Sequence, residues 1–145
     1  MNAVHKPAMS IVVQRHPNPQ FSSFHVDRVL SNAPDGVEFK YDRGEVRPDE
    51  SSLEASDLPI EPSVQAIAER IYAIPGISDN GPMGSNLWIG KCEIFVGKGV
   101  AFPDREIEEG VIAAIAKSFG LNVEDVTVTI NDQRGKHSRA PSRLL

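Results

Sequence analysis

The 145-residue sequence predicts an α+β fold, a mainly antiparallel sheet with two helices packed on one face. Three observations carry that expectation. Segments 61–74 and 103–119 each repeat apolar residues at helical spacing along a single stripe. Several short segments alternate apolar and polar residues, which gives a strand one apolar side. The order runs strands, helix, strand, helix, strand, without the regular alternation that builds a parallel sheet. Helices with one stripe and strands with one apolar side bury most surface by stacking as two layers.

The elements follow in chain order. Residues 1–9 carry no pattern and are expected to be disordered. "SIVVQRH" (10–16) is β-branched and short, so it reads as a strand. In "SSFHVDRVL" (22–30), Phe24 and Val26 share one side while His25 and Asp27 take the other. "VEFKYD" (37–42) alternates, with Val37, Phe39 and Tyr41 inward. The turn chemistry of "NAPDG" (32–36) predicts that the second and third strands form a hairpin. Residues 42–61 hold seven acids, two arginines, two prolines and three serines without a period, and read as an acidic loop. The first helix begins at Pro62, where a missing N–H costs nothing, and ends at Pro75-Gly76. Its stripe is Val64, Ile67, Ala68, Ile71 and Ile74. "LWIGKCEIFVGKG" (87–99) reads as strand, or two strands bent at Gly90. The second helix has acids in its first turns, Lys117 in its last, and Gly120 as its cap. "VEDVTVTI" (123–130) closes a single domain, 10–131, with Val126, Val128 and Ile130 inward.

Charge is unevenly spread. The net charge is −5, but residues 132–145 carry Arg134, Lys136, Arg139 and Arg143 against one acid, Asp132. The remaining body is strongly acidic, which disfavours nucleic acid as a partner because phosphate would be repelled. The basic tail would suit an anionic partner, or be a solvated end. No apolar run approaches a membrane span, and "MNAVHKPAMS" lacks a signal peptide's apolar core. A cytoplasmic protein is the expectation, with a protein partner and no membrane. The lone Cys92 rules out an intramolecular disulfide and a CxxC motif.

Candidate chemistry is sparse. In Pro17-Asn18-Pro19 each ring removes a ladder donor and fixes φ, so the chain must leave the sheet after His16 and turn before Phe21. Prolines supply no acid, base or nucleophile, so the motif reads as shape or as an interaction surface with Phe21. His16 and His25 flank the turn, and with Asp27 they would make a two-His, one-carboxylate metal site; solvated strand histidines are the alternative. Cys92 reads as a small core residue sharing a side with Ile94 and Val96; a redox role would draw on adjacent Lys91. "GKCEIFVGKG" fails the spacing of a phosphate loop, and "NGPMGSN" (80–86) reads as an exposed loop. No Ser/His/Asp arrangement is visible, so the chain is not expected to be an enzyme.

Two stretches resemble a known family. "HPNPQFSSFHV" looks like the strand–PNP–strand opening of the N-terminal domain of NifU-like (Nfu) iron–sulfur scaffold proteins. "PSVQAIAERIYAIPGI" resembles that domain's first helix, and "CEIFVGKG" with the helix after it stands where its last strand and helix do. The resemblance spans residues 10–119, and the strand at 123–130 and the basic tail lie outside it. It implies a non-catalytic, protein-binding accessory module linked to iron–sulfur cluster assembly or delivery. The family's cluster chemistry belongs to a separate CxxC domain, which has no counterpart here, so no cofactor is expected. The alternatives are a small metal-binding protein or enzyme using His16, His25 and Asp27, and an anionic-partner binder acting through the tail.

Overall fold

The computed structural model describes residues 8–49, 60–77, 87–98 and 103–133. In chain order these form β1 (Met9–Arg15), β2 (Phe21–Val26), β3 (Val37–Asp42), β4 (Glu45–Pro48), α1 (Pro62–Tyr72), β5 (Leu87–Ile89), β6 (Glu93–Gly97), α2 (Asp104–Ser118) and β7 (Val126–Asp132). The strands make a seven-stranded sheet in the order β4-β3-β5-β6-β2-β1-β7. The β1–β7 pair is parallel and the other pairs are antiparallel, so the fold is α+β with a mixed sheet.

Period-2 alternation gives this sheet one core side. Ladder register aligns Ile11, Val26 and Val13, Phe24 on β1 and β2, then Phe24, Ile94 and Ile89, Val37 across β6, β5 and β3. All of these are buried, with Phe24, Ile94 and Ile89 fully so. The helices contribute Val64, Ile67, Ala68 and Ile71 from α1 and Ile107, Val111 and Ile115 from α2 to the same cluster. Removing a fully buried ring such as Phe24 costs about 3–5 kcal/mol.

Polar contacts set the helices on this core. Glu61, just before α1, accepts hydrogen bonds from the Asn32 backbone N–H (2.8 Å) and side-chain amide (3.1 Å). The Tyr72 hydroxyl donates to the Phe39 carbonyl at 3.0 Å, and its ring stacks on Tyr41 at 5.6 Å. Glu108 on α2 takes a two-pronged hydrogen bond from Arg15, Nε at 2.6 Å and Nη2 at 2.9 Å. Arg15 Nη1 donates to Asp132 on β7 at 3.0 Å. Helix α2 ends as its glycine suggests. With Gly120 at φ +70°, its N–H reaches the Lys117 carbonyl and the Leu121 N–H reaches that of Ala116, a Schellman closure.

Several expectations need correction. The second and third strands do not form a hairpin: β2 pairs with β1 and β6, and β3 with β4 and β5. The turn at 33–36 forms, with the Gly36 N–H on the Ala33 carbonyl. The chain first runs past the β5–β6 turn, where Val26 and Leu30 donate to the Cys92 and Lys91 carbonyls. Turn chemistry marks where a chain bends, not which strand it joins. Of the two readings of the stretch from Leu87, the structure takes the second: β5 and β6 fold back on each other around Gly90. The acidic stretch begins with β4, whose Val46 faces Tyr41; its residues 50–59 lie outside the described residues, as do 1–7. The first strand starts at Met9, itself buried. Val128 and Ile130 lie on the core side, opposite Ile11 and Val13, but are 39% and 47% exposed. Tyr41 is 41% exposed at the other end of the sheet. No described helix is long and apolar enough to cross a membrane.

Arg15→Leu would strand the nearly buried Glu108 carboxylate. A loss of about 3 kcal/mol in unfolding free energy is expected, read from the urea midpoint at unchanged slope. Arg15→Lys keeps the charge but not the fork, and should lose less.

Candidate functional site

The side of the sheet opposite the core carries an aromatic group that the sequence only hinted at. By alternation, Gln14 and His16 of the first hairpin arm, Phe21, Ser23 and His25 of the second, Phe95 of β6 and Trp88 of β5 all point this way. Phe21 and Phe95 stack with centroids 5.2 Å apart and planes 21° apart. The His16 ring tilts against Phe95 at 5.8 Å. Ser23 lies beneath, only 2% exposed, with its Oγ 2.7 Å from His16 Nε2. Trp88 is the cross-strand partner of Phe95. These rings are half-buried rather than covered.

The PNP turn builds one end of this platform. Asn18 accepts at two points: its side-chain Oδ1 from the Gln20 N–H at 3.0 Å, and its carbonyl from the Phe21 N–H at 3.0 Å. The His16 N–H then meets the Phe21 carbonyl, so the hairpin closes with His16 opposite Phe21. Pro17, Asn18 and Pro19 are exposed at the tip. Their effect on chemistry is indirect: they set the pairing that puts two rings and an imidazole side by side.

Glycines build the other end. A Cβ on Gly36 would fall 2.6 Å from the Trp88 ring, and one on Gly90 2.2 Å from it. Only hydrogen fits at either place, and Gly36 also has φ +73°. The indole thus lies close against two backbone turns, with Nε1 donating to the Asp35 carbonyl at 3.0 Å.

The histidines do not converge. His16 contacts Ser23, while His25 contacts Gln14 at 3.3 Å and Glu93 at 3.8 Å. Phe21, opposite His16, and His25 are four residues apart along the strand, which is about 13 Å. Asp27 lies beyond the end of β2, exposed. Among the described residues no three His, Cys, Asp or Glu side chains stand close enough to hold a metal ion. Cys92 sits in the β5–β6 turn, half-buried, and not on a strand beside Ile94 and Val96. Arg134, Lys136, Arg139 and Arg143, and the 80–86 loop, lie outside the described residues.

Ser23 and His16 form a hydrogen-bonded pair, but the serine is buried, with the imidazole on its hydroxyl and Phe95 as its cross-strand neighbour. The pair therefore holds His16 in place and does not offer a nucleophile to a substrate. A separate open cleft of about 700 Å³ lies between the β3–β4 hairpin and α1, lined by Tyr41, Val46, Arg47, Glu69 and Tyr72. Gln65 ties α1 to the hairpin beside it by donating to the Val46 carbonyl at 2.9 Å. Phe95, Trp88 and Ser23 were missed by sequence reasoning. The available signal was an aromatic at 95 on the polar side of its strand, beside Glu93.

No family model matches the chain, and no curated protein does. Among solved structures, a NifU-like protein from Saccharomyces cerevisiae, determined in solution by NMR, is similar at 15% identity. The likeness covers 85% of this chain and 88% of that one, with a TM-score of 0.47. At that score it decides neither family nor activity.

Trp88 is the sole tryptophan, so its emission reports the platform directly. Gly90→Ala should displace the indole, shift its emission maximum, and cost about 1–3 kcal/mol in a denaturant titration.

Proposed function

We propose that this chain is a non-catalytic protein-binding module, cytoplasmic and accessory to iron–sulfur cluster assembly or delivery, which presents the platform side of its sheet to a partner protein. The observation that carries the binding role is the stacked Phe21–Phe95 pair, set beside His16 and Trp88 on the side of the sheet away from the core. Half-buried rings ringed by Gln14, His25 and Glu93 match the anatomy of a binding surface, with an aromatic centre and a polar rim. Such centres supply most of the binding free energy in protein contacts.

In this reading both helices cover one side and leave the other to the partner. Glu108 of α2 meets Arg15, and Tyr72 of α1 meets Tyr41, and both strand residues belong to the core side. The link to clusters rests on the PNP and IPGI landmarks alone. A cluster would be cargo of the partner and not a resident group of this chain. The platform stands at the end of the hairpin that the PNP turn closes, so the landmark and the surface coincide.

The test is capture from lysate by the full chain, compared with a Phe21→Ser/Phe95→Ser double variant that still unfolds cooperatively. A partner retained by the first and lost by the second is expected, with affinity falling at least tenfold. Capture of nothing, or equal capture by both, defeats the binding role. Deletion that leaves cluster-enzyme activities unchanged defeats the cluster link while sparing the rest.

A further inference from the structure

The two edges of the sheet are built differently. Strand β4 is four residues long and carries Glu45, Arg47 and Pro48. Charge, proline and brevity are the usual means of keeping a sheet edge from pairing with another chain. Strand β7 is seven residues long, and from Val126 to Asn131 it has no charge and no proline. Its ladder with β1 is regular over all seven positions. Valine, threonine and isoleucine there favour extended backbone.

Among the described residues no strand pairs with the outer side of β7, and side chains on this edge are unfinished as well. Val128 and Ile130 continue the row of Ile11 and Val13, which are fully buried. They are nonetheless 39% and 47% exposed. The row of core residues thus runs one strand past its cover.

We infer that β7 pairs antiparallel with β7 of a second copy of this chain, about a two-fold axis at Thr129. The strand fits itself in that register. Thr129 meets Thr129, Val128 meets Ile130, Thr127 meets Asn131, and Val126 meets Asp132. No acid opposes an acid in any of these pairs, and like charges directly opposite would oppose pairing. Residues that sum to an even number share a side, so the exposed Val128–Ile130 row of each copy lies against that of the other. The unfinished core row is then closed by its own counterpart. A foreign strand would need the same length, neutrality and offset to do as well. Two-fold contacts between identical patches are the commonest form of assembly. The interface is an edge, distinct from the platform, so it stands or falls apart from the partner-binding reading.

Sedimentation equilibrium of the full chain should give twice the chain mass. Thr129→Lys places two ammonium groups face to face on the axis, and Thr129 is exposed, so the variant should fold with an unchanged far-UV spectrum and sediment as a monomer. In a Cys92→Ser background, Thr129→Cys should form an interchain disulfide on mild oxidation, because facing Cα atoms would be about 4.5–5.5 Å apart. Arg47→Cys in the same background should not. A wild-type monomer at every loading, or a dimer that survives Thr129→Lys, overturns the inference. So does a monomer in which every β7 amide is protected from exchange, since β1 takes only alternate ones and the outward set would then be covered by the chain itself.

Discussion

Arg15 is the joint on which the architecture turns. Alternation along β1 puts Met9, Ile11, Val13 and Arg15 on the core side, so a cation stands where the row would otherwise end in a hydrophobe. Burying a charge there is costly unless every donor finds an acceptor. Glu108 takes two of them and Asp132 a third. The Glu108 hydrogen bond, opposed by burial and joined by Asp132, holds the guanidinium well above its ordinary range. Arg15 therefore stays charged wherever the protein is folded, and the fork geometry fixes where α2 can lie. The same side chain fixes β7. Arg15 is in register with Asp132, and slipping the strand by one residue would turn that carboxylate to the other side. One residue thus positions a helix over the sheet and a strand beside it.

The platform follows from the same register. With the core row of β1 fixed, Gln14 and His16 must point away from it, and the PNP turn then decides what stands opposite them. A looser turn would shift β2 against β1 by a residue. Phe21, Ser23 and His25 would then exchange sides with Ser22, Phe24 and Val26. Phe24 is fully buried, so the core opposes that slip as strongly as the turn does. Turn and core agree, which is why stiff but chemically inert residues can govern the placement of His16 and Phe21.

Local pattern carried the elements, and distance in sequence hid their partners. Both helices were readable because Val64, Ile67, Ile71 and Ile107, Val111, Ile115 repeat at helical spacing, and Gly120 marks a stop. The first hairpin was readable because two prolines forbid anything but a turn. The misplaced hairpin between β2 and β3 shows the limit: the strands that separate them, β5 and β6, lie some fifty residues later. Strand β4 was hidden because four residues cannot display a period, and charge on an edge looks the same as charge in a loop. Cys92 was placed by extending a strand through Gly90, where the chain reverses instead. Glu108 looked like one more acid of a first turn, and no spacing could tie it to Arg15, ninety-three residues away. The same holds for the platform, whose rings come from three separated segments.

Twist decides how the two surfaces would work together. In the proposed dimer the sheets run on through the paired β7 strands, and the two platforms are separated by about 30 Å along the sheet. Each strand-to-strand step also rotates the sheet by about 20–25° in one sense. Five steps lie between β2 of one copy and β2 of the other, so the accumulated rotation exceeds a right angle. The platforms would then point in different directions, and one flat partner could not cover both. Each copy would engage its own partner, so dimerisation would add a second binding site without adding avidity for a single one. What the shared edge contributes is burial of Val128 and Ile130, and with it a covered end for a core row that Arg15 has already set in place.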